Sequence, residues 1–169
     1  MELLETAAMS GGARVRTRIV FTAEGLRVRP HVHPRQDESY EVVSGRLAYR
    51  LGERALVAEA GEVVTLPRGV PHQHYSAGPG DAVVLQSISP GLDFDYLIEN
   101  VFGLGSEGRG IRGLDHVVQG LMWIRYMRSK LLLAAPPLWL QYALAWSIAP
   151  IARLAGYRPV HRRFSGEDW

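Results

Sequence analysis

The sequence predicts a mainly β fold, a sandwich or barrel of short strands, followed by C-terminal α-helices. Three observations carry that prediction. Through residue 90, apolar and polar residues alternate with a period of two in a series of short runs. Clusters rich in glycine, proline and acidic residues punctuate those runs. After Pro90 the apolar spacing lengthens to three and four, as in amphipathic helices.

The candidate strands are RVRTRIVFT (14–22), LRVRPHVH (26–33), SYEVVSG (39–45), RLAYRL (46–51), ALVAEA (55–60), EVVTLP (62–67), HQHYSA (72–77) and AVVLQSIS (82–89). Between them AEG, GE, AG, PRGVP and GPGD supply turn chemistry. Residues 92–105 then read as a short helix stopped by glycines. Residues 113–133 read as a longer one whose apolar stripe is Leu114, Val117, Val118, Leu121, Ile124, Met127 and Leu131. A third helix starts at Pro137, where the missing N–H costs little, and stops at Gly156; Pro150 should kink it or end its regular part. The chain thus divides into a β-barrel over residues 1–90, with its core at about 15–90, and a helical extension over 91–169. That extension is expected to pack on the barrel or on a partner subunit.

Composition narrows the function. The chain has no cysteine, which removes disulfides, thiolate metal sites and cysteine nucleophiles. With an N-terminus that lacks a basic segment followed by a long apolar core, a cytoplasmic location is expected. The net charge of +2 hides an asymmetry: ten arginines oppose thirteen acidic residues through Leu104, and nine basic residues oppose four beyond it. The basic residues of the tail are scattered, so they describe a solvated face and no nucleic-acid interface. The uncharged run from Leu131 to Ala152 is broken by Pro136, Pro137, Gln141, Ser147 and Pro150, which argues for a buried or interfacial helix and against a membrane span.

The chemistry concentrates in two clusters. In HVHPRQDESYEVVSG, His31 and His33 share one face of a strand, and a turn through PRQD returns Glu38 beside them. Alternation turns Glu38, Tyr40 and Val42 inward and Glu41 outward. In GEVVTLPRGVPHQHYS, Pro67 and Gly69 build a turn before a strand that presents His72 and His74 on one face. A mixed shell of imidazoles and a carboxylate suits Fe, Mn, Ni, Co or Zn as a divalent ion and not calcium. The same alternation nominates Tyr40, Tyr49, Leu51, Val64, Val83 and Leu85 as inward, with Gln86 or Ser87 according to register. Tyr40 and Tyr49 stand out, because a buried phenol needs a partner and can bind substrate or donate a proton. Arg46 and Arg50 fall outward, and His116 and His161 read as structural or exposed.

These residues resemble the cupin superfamily. His31-x-His33-x4-Glu38-x6-Gly45 matches the first cupin motif, and Gly61-x5-Pro67-x-Gly69-x2-His72 matches most of the second. The resemblance is to a small bacterial single-domain cupin and covers roughly residues 15–90. It implies a jelly-roll β-barrel with one divalent transition metal ion held by His31, His33, Glu38 and His72. Where the second motif usually ends in asparagine this chain has Ser76, a position that is not a ligand in the family. His74, Tyr40, Tyr49 and Gln86 are then candidates for catalysis or substrate contact.

The expected function is a metalloenzyme acting on a small organic molecule, oxygenase-type first and a non-redox isomerase or cyclase second. A non-catalytic small-molecule binding module is the alternative. The helix beginning at Pro137 is apolar on nearly every side, so the expected assembly is a homodimer, with membrane-surface contact as its rival.

Overall fold

The computed structural model describes residues 1–23, 25, 27–108 and 113–166. Two five-stranded antiparallel sheets face each other. The strands are β1 (Glu2–Glu5), β2 (Val15–Phe21), β3 (His31–Val32), β4 (Asp37–Ser44), β5 (Arg46–Leu51), β6 (Arg54–Glu59), β7 (Val63–Leu66), β8 (His72–Ser76) and β9 (Ala82–Ser89). After them come α1 (Phe94–Ser106), α2 (Gly113–Tyr126), β10 (Leu132–Leu133), α3 (Leu138–Leu154) and α4 (Arg162–Ser165). One sheet runs β1-β2-β9-β4-β7 and the other β10-β3-β8-β5-β6. This is the jelly-roll, double-stranded β-helix arrangement followed by helices.

Alternation builds the interior. Strand β4 buries Glu38, Tyr40 and Val42, and β9 buries Ala82, Val84, Gln86 and Ile88. Ile19, Tyr40, Val42, Leu47, Ala58, Leu66 and Val84 form the barrel's apolar core. Gly45 makes the β4–β5 turn with φ +75°, and a Cβ there would lie 2.2 Å from the Asp81 carbonyl oxygen, so only glycine fits. A second core joins barrel to tail: Val15 and Ile88 meet Phe94, Leu97, Ile98, Met127 and Val160.

Several expectations change. Val83 and Leu85 are half-buried on the outer side of β9, since the register turns Val84 and Gln86 inward; that settles Gln86 over Ser87. The candidate strand 26–33 shrinks to His31–Val32, and its Leu26, like Glu24 of the preceding turn, lies outside the described residues. Strand β1, which the alternation did not reveal, pairs with β2 at a sheet edge. The second helix ends at Tyr126 and not at 133, because Leu132 and Leu133 pair with Val32 and His31 as a strand. Leu114 and Val117 are consequently not part of a continuous buried stripe; both are exposed. Helix α3 continues past Pro150 to Leu154, with the proline on its exposed side. No described helix is long and apolar enough to cross a membrane.

Candidate metal centre

Strand pairing assembles the centre. His31 on β3 lies directly opposite His72 on β8. His33 follows β3, and its carbonyl accepts the N–H of Gly69 at 2.9 Å, so the Pro67–Val70 turn is fastened to it. Gly69 takes φ +76° in that turn. Glu38 reaches in from the other sheet, where it pairs with Leu66 and Ile88. One donor atom from each of His31, His33, Glu38 and His72 lies within 4.8 Å of the others, and all four side chains are buried.

Hydrogen bonds fix the tautomers. Nδ1 of His31 faces the Arg29 carbonyl at 2.8 Å, that of His72 the Val70 carbonyl at 2.9 Å, and that of His33 the Lys130 carbonyl at 3.1 Å. A carbonyl only accepts, so each Nδ1 carries the proton and each neutral ring keeps its lone pair on Nε2. Burial outweighs the attraction of Glu38 and pushes His31 down to about 3; it lowers His33 as well. Neutral imidazole is the form that ligates a metal.

Glu38 is held from its other oxygen. Its Oε1 accepts the Tyr40 hydroxyl at 2.7 Å and Gln86 Nε2 at 2.5 Å. Thr17 donates to Gln86 Oε1 at 2.7 Å and so sets which way that amide faces. Burial alone would raise the Glu38 carboxyl, but its contact with His72 and the field of the surrounding histidines hold it well below the usual range. Burial, then the neighbouring Glu38 charge, keeps Tyr40 a neutral phenol.

Glu38 Oε2 and His72 Nε2 lie 3.0 Å apart, both buried, and neither makes a hydrogen bond. Two lone pairs facing each other in a buried interior repel unless a proton or a metal ion joins them. That pair of orphaned acceptors, with two further imidazoles beside it, fits a divalent transition metal.

His74 belongs to the surroundings of this cluster and not to the four donors. Its Nε2 lies 3.0 Å from the Tyr40 hydroxyl, and its ring packs against His31 with centroids 5.6 Å apart. Burial drops it to about 4. Tyr40 spends its one proton on Glu38, so His74 donates to the phenol oxygen from Nε2 and keeps a lone pair on Nδ1. Tyr49 lies opposite His74 in register, half-buried against the apolar core. Asp37 is at the surface, bound to Arg68 at 2.6 Å. Arg46 and Arg50 are exposed, as alternation expects.

Three contributors escaped the sequence reading. Thr17 had a signal, a polar residue on the inward face of Val15, Thr17, Ile19 and Phe21. Phe21 packs on His74 with centroids 5.1 Å apart, and alternation alone gives no partner for it. The Lys130 carbonyl had no signal, because a backbone oxygen from 97 residues away leaves no trace in side-chain pattern. It is held there by Asp93, which accepts the backbone N–H groups of Arg128 at 2.6 Å and Ser129 at 2.5 Å. The Lys130 ammonium in turn caps the carbonyls of Ile124 and Met127 at the end of α2.

The cupin domain model matches residues 18–88. A double-stranded β-helix protein from Klebsiella pneumoniae is similar at 24% identity over 53% of this chain and 78% of that one, with a TM-score of 0.44. A cupin-like protein from Thermotoga maritima is similar at 29% identity over 52% and 65%, TM-score 0.45. An oxalate oxidase is similar at 26% identity over 52% and 49%, TM-score 0.45. No curated protein matches the chain. With its two facing sheets, its paired histidine motifs and the match over residues 18–88, the barrel holds a cupin domain, followed by a helical C-terminal extension.

Proposed function

We propose that the protein is a metal-dependent enzyme acting on a small organic molecule, with oxygenase-type chemistry. The observation that supports this is the pair of buried acceptors, Glu38 Oε2 and His72 Nε2, facing each other inside the barrel beside two neutral imidazoles. A divalent ion held by His31, His33, Glu38 and His72 would supply Lewis-acid polarisation and, if redox-active, a route for electrons to O2.

The chain's own side chains do the rest. Tyr40 and Gln86 keep Glu38 in one rotamer, so Oε2 alone faces the donors. Among the described residues no arginine or lysine is fully buried, so a substrate carboxylate finds no side-chain counter-ion in the interior. A substrate carboxylate would instead meet Arg27, which lines an adjoining cavity. A cavity of about 250 Å³, lined in part by Phe21, Arg27, Tyr75 and Phe102, adjoins the barrel. Phe21 lines this cavity and also packs on His74, so it stands between the cavity and the His74 ring.

A second reading, isomerisation or cyclisation without redox change, draws on the His74–Tyr40 pair. His74 can take up a proton at Nδ1 and return it from the same atom, while Tyr40, whose own proton stays on Glu38, accepts from its Nε2. Metal analysis of untagged protein, followed by O2 uptake with a metabolite panel, separates the readings. Iron with substrate-dependent O2 uptake is the expected result. Turnover without O2 uptake transfers the assignment to the isomerase or cyclase. Zinc or no metal, with no turnover, overturns both in favour of small-molecule binding.

A further inference from the structure

Helix α3 is inside-out. It buries Gln141, Ala145, Ala149 and Ala152 and leaves its large apolar side chains outside. Trp139 is 71% exposed, Trp146 64%, Ile151 68% and Leu154 91%. Ser147, on the same side, turns its hydroxyl back to the Ala143 carbonyl at 2.9 Å and offers solvent little. Large apolar side chains exposed together on one face are the kind of surface that marks an interaction site. A helix this apolar outside needs a cover.

Charge selects the cover. Residues 116–166 carry seven lysines and arginines and no acidic residue; just outside them Asp115 accepts the Tyr157 hydroxyl, and Glu107 pairs with Arg163. Three of these cations are tied to the patch by contact. Arg125 stacks over Trp146 at 3.9 Å, Arg153 over Tyr126 at 5.1 Å, and Arg158 donates to the Arg153 carbonyl at 3.1 Å. In a symmetric dimer through this face the patch meets itself, arginine toward arginine, with no acidic side chain of the stretch to answer them. An anionic bilayer supplies both the apolar layer and the counter-charge. The helix has 17 residues, so it measures about 25 Å, short of a bilayer core of about 30 Å. It would lie in the interface plane, with its tryptophans at headgroup depth.

We propose that the outer face of α3, with Trp139, Trp146, Ile151 and Leu154 flanked by Arg125, Arg153 and Arg158, docks the protein on anionic lipid surfaces. The test is flotation of the full chain with phosphatidylglycerol–phosphatidylcholine vesicles and with phosphatidylcholine alone, read also by tryptophan fluorescence. The expected result is binding to the anionic vesicles with a blue shift, weakened by salt. Arg153→Gln with Arg158→Gln should lower partitioning about 30-fold, since each surface cation contributes roughly fivefold. Trp139→Gln with Trp146→Gln should abolish it; these side chains are exposed, and circular dichroism checks that the fold is kept. Absence of binding at every anionic fraction overturns the proposal, and equal binding to neutral vesicles overturns its electrostatic basis. A dimer by sedimentation equilibrium that Trp146→Gln dissociates would overturn it too, giving the face to a second copy.

Discussion

Tyr40→Phe removes one oxygen from the interior and keeps the ring. The oxygen donates to Glu38 Oε1 at 2.7 Å and lies 3.0 Å from His74 Nε2 and 3.1 Å from Gln86 Nε2. A hydrogen bond to a charged acceptor contributes about 1.5–3 kcal/mol, and a buried donor left stranded costs about 1–3 kcal/mol. Gln86 still reaches Glu38, so one donor to Oε1 survives and His74 bears most of the stranding. The metal-free protein should lose about 2–3 kcal/mol. At about 2–4 °C per kcal/mol for a chain of this size, Tm should fall by about 5–10 °C. Metal affinity should fall by about 10-fold to 100-fold, because the carboxylate gains freedom to turn away from the imidazoles. Differential scanning calorimetry of the metal-free protein and competitive titration against a chelator measure the two effects separately. A substrate-contact role for Tyr40 alone leaves metal affinity unchanged. A Tm within a degree of the parent and an affinity within twofold would refute the positioning argument.

Acidification should destabilise the metal-free protein. The folded histidines titrate below the free value of about 6.5, His31 at about 3 and His74 at about 4, so the unfolded chain takes up protons first. The stability they contribute is present above about 6.5 and is lost as pH falls toward those values. Metal retention, which free imidazole chemistry would place near about 6.5, should therefore persist at pH 5 while the fold is intact; dialysis at pH 8 and pH 5 with circular dichroism checks this, and loss at pH 5 from folded protein contradicts it. Asp93→Ala strips two buried backbone N–H groups of their acceptor and frees the segment behind His33. It should cost about 2–4 kcal/mol by thermal unfolding and weaken metal binding about tenfold, though Asp93 touches no donor. Gly45→Ala forces a side chain into positive φ against the Asp81 carbonyl and should cost more than about 2 kcal/mol by denaturant titration, with metal affinity in the surviving folded fraction unchanged.

The barrel was legible because half-buried antiparallel strands print their two faces on the sequence. RLAYRL and AVVLQSIS are strands almost residue for residue. The convergence of the four candidate donors was legible for the same reason, since His31, His33 and His72 stand at inward positions with Glu38 on the facing sheet. Where alternation is ambiguous the reading slipped: AVVLQSIS is apolar on both sides at Val83–Leu85, and pairing with β2 and β4 decided the register. Leu131–Leu133 continues a helical spacing, yet the open edge of β3 takes it as a strand, a tertiary preference that local pattern does not contain. Gln86 and Tyr40 could be placed inside, but which of their atoms met Glu38, and that Thr17 orients Gln86, depended on three strands at once.

Strand β10 makes the centre depend on the order in which the chain is made. His31 and His72 have their backbone partners, and Glu38 its side-chain partners, within the first ninety residues, but His33 waits for Lys130. Until that carbonyl arrives, its ring can turn and offer either nitrogen. A nascent barrel leaving the ribosome would carry three set donors and one unset, and would hold a metal poorly. Loading would then be confined to molecules whose tails have already docked, so the extension acts as a keystone, the last stone that lets the arch bear weight.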